Sequence, residues 1–173
     1  MKILGISGSL RSSSHNTRLL ARLAEHSETG HRLDLFAKVG DIPVFNEDLE
    51  CSALPSAVRD LWQAVSESDG LLFATPEYNQ ALPGSTKNLV DWISRAPAGS
   101  LLNAKPVAVV GATVGVWGTR IAQQQLRTVL LTCGARVMPS PSLYLANIER
   151  QDVPAALLRT FMRGFATWIS SAR

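Results

Sequence analysis

Lys2-Ile3-Leu4-Gly5-Ile6-Ser7 runs directly into Gly8-Ser9-Leu10-Arg11-Ser12-Ser13-Ser14-His15-Asn16-Thr17-Arg18, a junction of a buried strand with a polar turn and a helix start. Residues 3–6 are apolar on successive positions, as in a strand covered on both faces. A polar turn follows, and then a helical pattern near 15–27. The same succession recurs along the chain. Arg32–Phe36, Leu71–Thr75, Pro106–Ala112 and Ala135–Met138 read as strands, and segments near 55–68, 85–95, 118–133 and 153–171 read as helices. Val58, Leu61, Trp62 and Val65 recur at i, i+3, i+4, i+7, and Leu157, Leu158, Phe161 and Phe165 form a similar stripe. Five strands alternating with five helices predict a parallel sheet with right-handed crossovers and both faces covered. In such sheets ligands bind beyond the carboxyl ends of the strands, so the loops after strands one, three and four carry the function.

The bulk properties bound the rest. The chain has 173 residues without repeats or linkers, which predicts one domain over 1–173 able to bury its own core. A net charge of +3, spread along the chain with no aromatic-interleaved basic run, argues against nucleic acid. Cys51 and Cys133 lie far apart and form no CxxC pair, which fits reduced thiols and no disulfide framework. The apolar run 3–6 is too short for a signal peptide, and no stretch approaches the ~20 apolar residues of a membrane span. A cytoplasmic protein without a membrane partner is expected.

The first loop carries Arg11 and Arg18, four serines in Ser9–Ser14 and no acidic residue before Glu25. A helix starting here adds unpaired N–H groups and a positive dipole end. Short hydroxyl donors, guanidinium groups and a helix N-terminus together suit a phosphate dianion. A plain Ser-rich turn ending in a helix cap has the same composition. Neither GxxxxGK[ST] nor GxGxxG is present, so the loop is not a P-loop or a Rossmann turn. His15 reads as a solvated loop residue.

Thr75-Pro76-Glu77-Tyr78-Asn79-Gln80-Ala81-Leu82-Pro83-Gly84 follows strand three. Its two prolines stiffen the segment, and Tyr78 and Asn79 offer an amphipathic ring and an amide. A rigid loop packed under the next helix is the competing reading. Ser85 is expected to cap that helix, with Leu89, Trp92 and Ile93 on one face and Lys87 paired to Asp91. Trp92 suits either core or a subunit contact. After strand four, Gly111, Gly115 and Gly118 fall within eight residues, which allows close backbone approach to a flat ligand or makes a flexible turn. A phosphate clamp, a stiff polar wall and a backbone-lined slot at one sheet edge outline a mononucleotide with a large flat ring.

Four segments carry a resemblance: GSLRSSSHN (8–16), IPVFNEDLE (42–50), PEYNQALPGSTKNLVDWISR (76–95) and GATVGVWGTRIAQQQLR (111–127). They resemble the NADPH-dependent FMN reductase family of quinone, azo-dye and chromate reductases. The resemblance implies an α/β flavodoxin-like sheet in order 2-1-3-4-5 and FMN bound without a covalent bond. It also implies NADPH or NADH as co-substrate and a homodimer or homotetramer with the flavin beside the subunit contact. By position, Ser9, Arg11, Ser14, Asn16 and Thr17 would hold the FMN phosphate. Pro76, Glu77, Tyr78 and Asn79 would flank the ribityl chain and ring, partly through backbone. Thr113, Gly115 and Gly118 would line the pyrimidine side. Thr86 and Val114 depart from the family pattern, which usually has Leu and often Pro there.

The implied reaction is two-electron transfer from NAD(P)H through FMN to a quinone, free flavin, azo or metal-oxyanion acceptor, in a ping-pong cycle. It needs no acid–base pair, and Tyr78 is the one candidate for positioning nicotinamide and acceptor. Backbone N–H groups near Gly115–Gly118 would favour negative charge on the ring. The rival reading is a non-catalytic flavodoxin-type carrier, to which a pI near 9.2 is poorly suited. A receiver domain, which shares the sheet order, lacks its acidic cluster here.

Overall fold

The computed structural model describes residues 1–52, 54–150 and 152–171, apart from the side chains of Cys51 and Ser52. The expectation of a reduced thiol at Cys51 therefore lies outside the described residues. In chain order the strands are β1 (Lys2–Ser7), β2 (Arg32–Leu35), β3 (Gly70–Ala74), β4 (Pro106–Ala112), β5 (Arg136–Val137) and β6 (Leu143–Leu145). The helices are α1 (His15–Glu25), α2 (Asp48–Ser52), α3 (Ser56–Ser66), α4 (Gly84–Ser94), α5 (Arg120–Thr132) and α6 (Ala155–Ser170). A 3₁₀ turn occupies Val39–Asp41.

The strands are parallel in order β2-β1-β3-β4-β5, as expected of a flavodoxin-like fold. Beyond the expectation, the outer edge of β4 is shared by two short strands. β5 pairs with Pro106 and Val107, and β6 pairs with Val110–Ala112. Pro139 and Pro141 stand between them and cannot donate to a ladder, so one continuous fifth strand is not possible.

Alternation along the strands divides the core into two layers. Ile3, Leu72, Ala74, Ala108 and Val110 face α1 and α6, where Leu20, Phe161 and Phe165 meet them. Leu4, Ile6, Phe73, Val107 and Val109 face the layer that holds Leu61, Leu89 and Leu126. Truncating a ring such as Phe161 to Ala would cost roughly 3–5 kcal/mol, because both transfer energy and a cavity are involved.

On α4 the alternatives for Trp92 are decided and the expectation for Ser85 is corrected. Trp92 is 0% exposed, donates from Nε1 to Pro43 O at 2.9 Å and meets the Phe45 ring edge-on at 5.0 Å. Its face is spent inside the protomer, so it is core and not a subunit contact. Ser85 does not cap the helix, whose N-cap is Pro83; its hydroxyl instead donates to Gly8 O at 2.6 Å. That bond ties the start of α4 to the loop after β1.

Candidate active site

The loop after β1 is a self-bonded cradle. Ser14 is the N-cap of α1, extended in φ and ψ, and accepts from Thr17 N at 3.2 Å. Thr17 Oγ1 donates to Ser7 Oγ at 2.8 Å, and Ser7 Oγ also takes Ser9 N. Asn16 is buried, and its amide both donates to and accepts from the main chain of Ala112. The expectation that Ser14, Asn16 and Thr17 hold a phosphate through their side chains is thereby narrowed. Those groups already serve the protein and shape the turn. What faces outward is the exposed Arg11 guanidinium, which donates from Nη2 to Ser13 Oγ at 3.3 Å, together with Ser9 and the first N–H groups of α1.

The loop after β3 is strapped to α5. Glu77 Oε2 accepts from Ile121 N at 2.9 Å and Ala122 N at 3.0 Å, a carboxylate cap on the second and third residues of the helix. Leu82 N donates to Gln125 Oε1 at 2.7 Å. The Glu77 side chain thus braces two loops, which leaves its main chain for the expected contact along the ribityl side. Between Tyr78 and Ala81 the chain makes a tight turn with Asn79 and Gln80 left-handed, φ 52° and 57°. The turn leaves Tyr78 about half exposed and Asn79 open beside buried Pro76.

The loop after β4 leans on β6 and the segment after it. Thr113 N donates to Leu145 O, Ile148 N to Thr113 O and Asn147 N to Gly115 O. Gly115 N donates to Thr113 Oγ1 at 3.1 Å, so this donor is already engaged within the loop. Gly118 has φ 63°, and a Cβ there would come within 2.7 Å of the Tyr144 main chain. The loop tip exposes Val114, Val116 and Trp117.

Three bonds knit these loops into one rim at the carboxyl end of the sheet: Asn16 to Ala112, Ser85 to Gly8, and Glu77 to the start of α5. A cavity of about 450 Å³ opens beside the rim between Ser9, Arg11, Thr17, Phe36 and Val39. A second, of about 380 Å³, lies along α1 between His15, Arg18, Arg22 and Glu149. His15 is less solvated than expected: its side chain is 13% exposed, with Arg18 Nη2 at 2.8 Å from Nδ1 and Glu149 at 3.4 Å from Nε2.

Among the described residues, Arg11, Arg18 and Arg120 have no carboxylate within ion-pair distance; Arg120 stacks 5.0 Å over the Tyr144 ring. Arg95, at the end of α4, is by contrast paired with Glu50 at 2.8 Å. An acid-free turn, a helix N-terminus and an unpaired Arg11 fit the dianionic phosphate of FMN. No group of metal-binding residues occurs among the described residues. Burial pushes the Cys133 thiol up, away from reactivity.

Residues 1–150 match the family model described as NADPH-dependent FMN reductase. A 2-hydroxy-1,4-benzoquinone reductase from a Burkholderia species is 36% identical, the alignment covering 100% of this chain and 98% of that protein. An NAD(P)H-dependent FMN reductase from Pseudomonas aeruginosa is 33% identical over 100% of this chain and 97% of its own length. Among solved structures, the flavoenzyme NAD(P)H:(acceptor) oxidoreductase FerB from Paracoccus denitrificans superposes with a TM-score of 0.88 at 32% identity, covering 99% of this chain and 98% of that one. A flavodoxin from P. aeruginosa, at 18% identity and a TM-score of 0.61, shares the fold alone and lends the carrier reading no support. The chain belongs to the NADPH-dependent FMN reductase family and is an FMN-dependent NAD(P)H oxidoreductase.

Proposed function

We propose that the domain formed by residues 1–173 reduces a small planar acceptor of the quinone class with NADPH or NADH, as a homodimer or homotetramer in the cytoplasm, where those nucleotides are supplied. The observation that carries this reading is the rim itself: three mutually bonded loops with an exposed apolar tip and three arginines that have no carboxylate partner among the described residues. Bound FMN would supply the two-electron chemistry. The chain supplies position and field. Arg11, Ser9 and the first N–H groups of α1 hold the phosphate, and the main chain of Pro76–Asn79 borders the ribityl side. The loop at Thr113–Gly118 borders the ring. Tyr78, Val116 and Trp117 offer apolar surface that sheds water and stacks on an aromatic acceptor. Arg18 and Arg120 draw the anionic nucleotide toward the rim. Relatives named as quinone reductases support this class of acceptor.

One site serving nucleotide and acceptor in turn gives a ping-pong cycle. Initial rates with NADPH and a benzoquinone varied together should give parallel double-reciprocal lines. Intersecting lines would mean that both substrates bind at once, and no reduction of the quinone would remove the acceptor assignment.

A further inference from the structure

Gln123, in the first turn of α5, is fully buried. Its Nε2 lies 2.9 Å from Leu143 O, 3.0 Å from Thr119 Oγ1 and 3.4 Å from Gly118 O. Its Oε1 has no partner. The amide is therefore used for donation only, toward one end of the loop after β4 and toward β6. Leaving the oxygen unpaired in the interior is unfavourable, so stability alone does not account for an amide at this place.

What the donors hold is unusual backbone. Gly118 and Thr119 are consecutive left-handed residues, φ 63° and 58°. A β-branched residue disfavours that region and stays there only where its surroundings over-determine it. Here the Tyr144 main chain crowds Gly118 on one side, and Gln123 bonds both residues on the other. The turn fixes the direction of the loop tip. Among the described residues no acceptor takes the N–H groups of Val116, Trp117 or Gly118, so these donors remain for a ligand.

We propose that Gln123 is a positioning residue for the flavin: it locks the Gly118–Thr119 turn and thereby aims the free N–H groups of the loop at the ring. The inference rests on reading this loop as the wall of the ring. Because the lock acts on the ring side, its loss weakens FMN and riboflavin alike.

Gln123→Met keeps the volume and removes the donors. Fluorescence titration should show dissociation constants for FMN and riboflavin raised together by about tenfold, the order of one lost hydrogen bond, with a changed absorption band for the bound flavin. Gln123→Glu gives a second readout that a merely structural residue would not give. Its carboxylate, formed as pH rises, faces two carbonyl oxygens that it cannot bond, whereas the protonated acid donates to one of them. Flavin affinity of this variant should recover as pH falls, relative to wild type, and this comparison decides the matter if the Met variant does not fold. Gly115→Val, in the loop itself, serves as reference. If it weakens both flavins while Gln123→Met and Gln123→Glu bind like wild type at every pH, the lock is refuted and the wall stands. If all three bind like wild type, the ring lies elsewhere and both readings fall.

Discussion

Asn16 and Ala112 exchange two hydrogen bonds across 96 positions of sequence: Asn16 Nδ2 donates to Ala112 O at 3.1 Å, and Ala112 N donates to Asn16 Oδ1 at 3.0 Å. Both residues are buried. The pair fastens the start of α1 to the end of β4, and so fixes the phosphate side of the rim against the ring side. Asn16→Leu should lower unfolding free energy by about 2–4 kcal/mol, from two lost bonds and two main-chain groups left without partners. Urea denaturation reads this as a lower midpoint at unchanged slope. An unchanged midpoint would show that the clasp contributes nothing.

This pair also marks what the sequence could disclose. The parallel sheet, the two core layers and the three functional loops were legible, because period and loop composition report burial and turn chemistry directly, whereas the strand order came from the family resemblance. The long-range polar bonds were not. Asn16 in an acid-free loop reads as a ligand for phosphate, and Glu77 beside Tyr78 reads as a wall of the site. Each instead turns to a main-chain donor that no local pattern announces. Trp92 was ambiguous for a related reason, since an apolar helix face does not say which surface covers it. β6 was missed because three residues between a proline-broken edge and a loop carry too little periodicity.

The phosphate assignment is tested at Arg11, exposed and without a carboxylate partner among the described residues. Arg11→Ala should weaken FMN binding by roughly tenfold or more, the effect of one charge-assisted bond. Riboflavin has no phosphate, so its affinity should hardly change. Equal losses for the two ligands would place the phosphate away from Arg11.

Acid stability should respond to Glu67. A hydrogen bond from Lys2 Nζ at 2.7 Å, a second from Gln63 and the charge of Lys2 hold its carboxyl below the ordinary value of 4.5. Because the folded value is depressed, the stabilisation is present above the unfolded value and fades as pH falls through the lower folded one. The pair is exposed and screened, so the effect is small and should shrink further in salt. Urea midpoints measured down through the carboxylate range should fall less steeply for Glu67→Gln than for wild type. Parallel curves would mean that the pair does not couple to folding.

Loop one and α4 also pack tightly at Gly8 and Thr86. A Cβ on Gly8 would fall on Thr86 Oγ1, with Pro76 Cδ and Thr86 Cβ each 3.3 Å away. Thr86 is itself fully buried, and its hydroxyl has no partner. Gly8→Ala therefore forces either a rotation of Thr86 or a shift of the strand end, at a cost of about 1–3 kcal/mol. A shift would also strain the bond from Ser85 Oγ to Gly8 O, which holds loop one in place for the phosphate. Thr86→Ala removes the obstructing oxygen and opens the space the new methyl needs. The double variant should be more stable than the sum of the single effects allows, by about 1–2 kcal/mol, as expected of two side chains in direct contact. It should also recover FMN affinity lost in Gly8→Ala. Thermal melts and flavin titration on the four proteins of the cycle give both quantities. Additive stabilities would show that the two positions do not meet. Recovered stability without recovered affinity would show that Gly8 acts on the flavin site by a route other than its contact with Thr86.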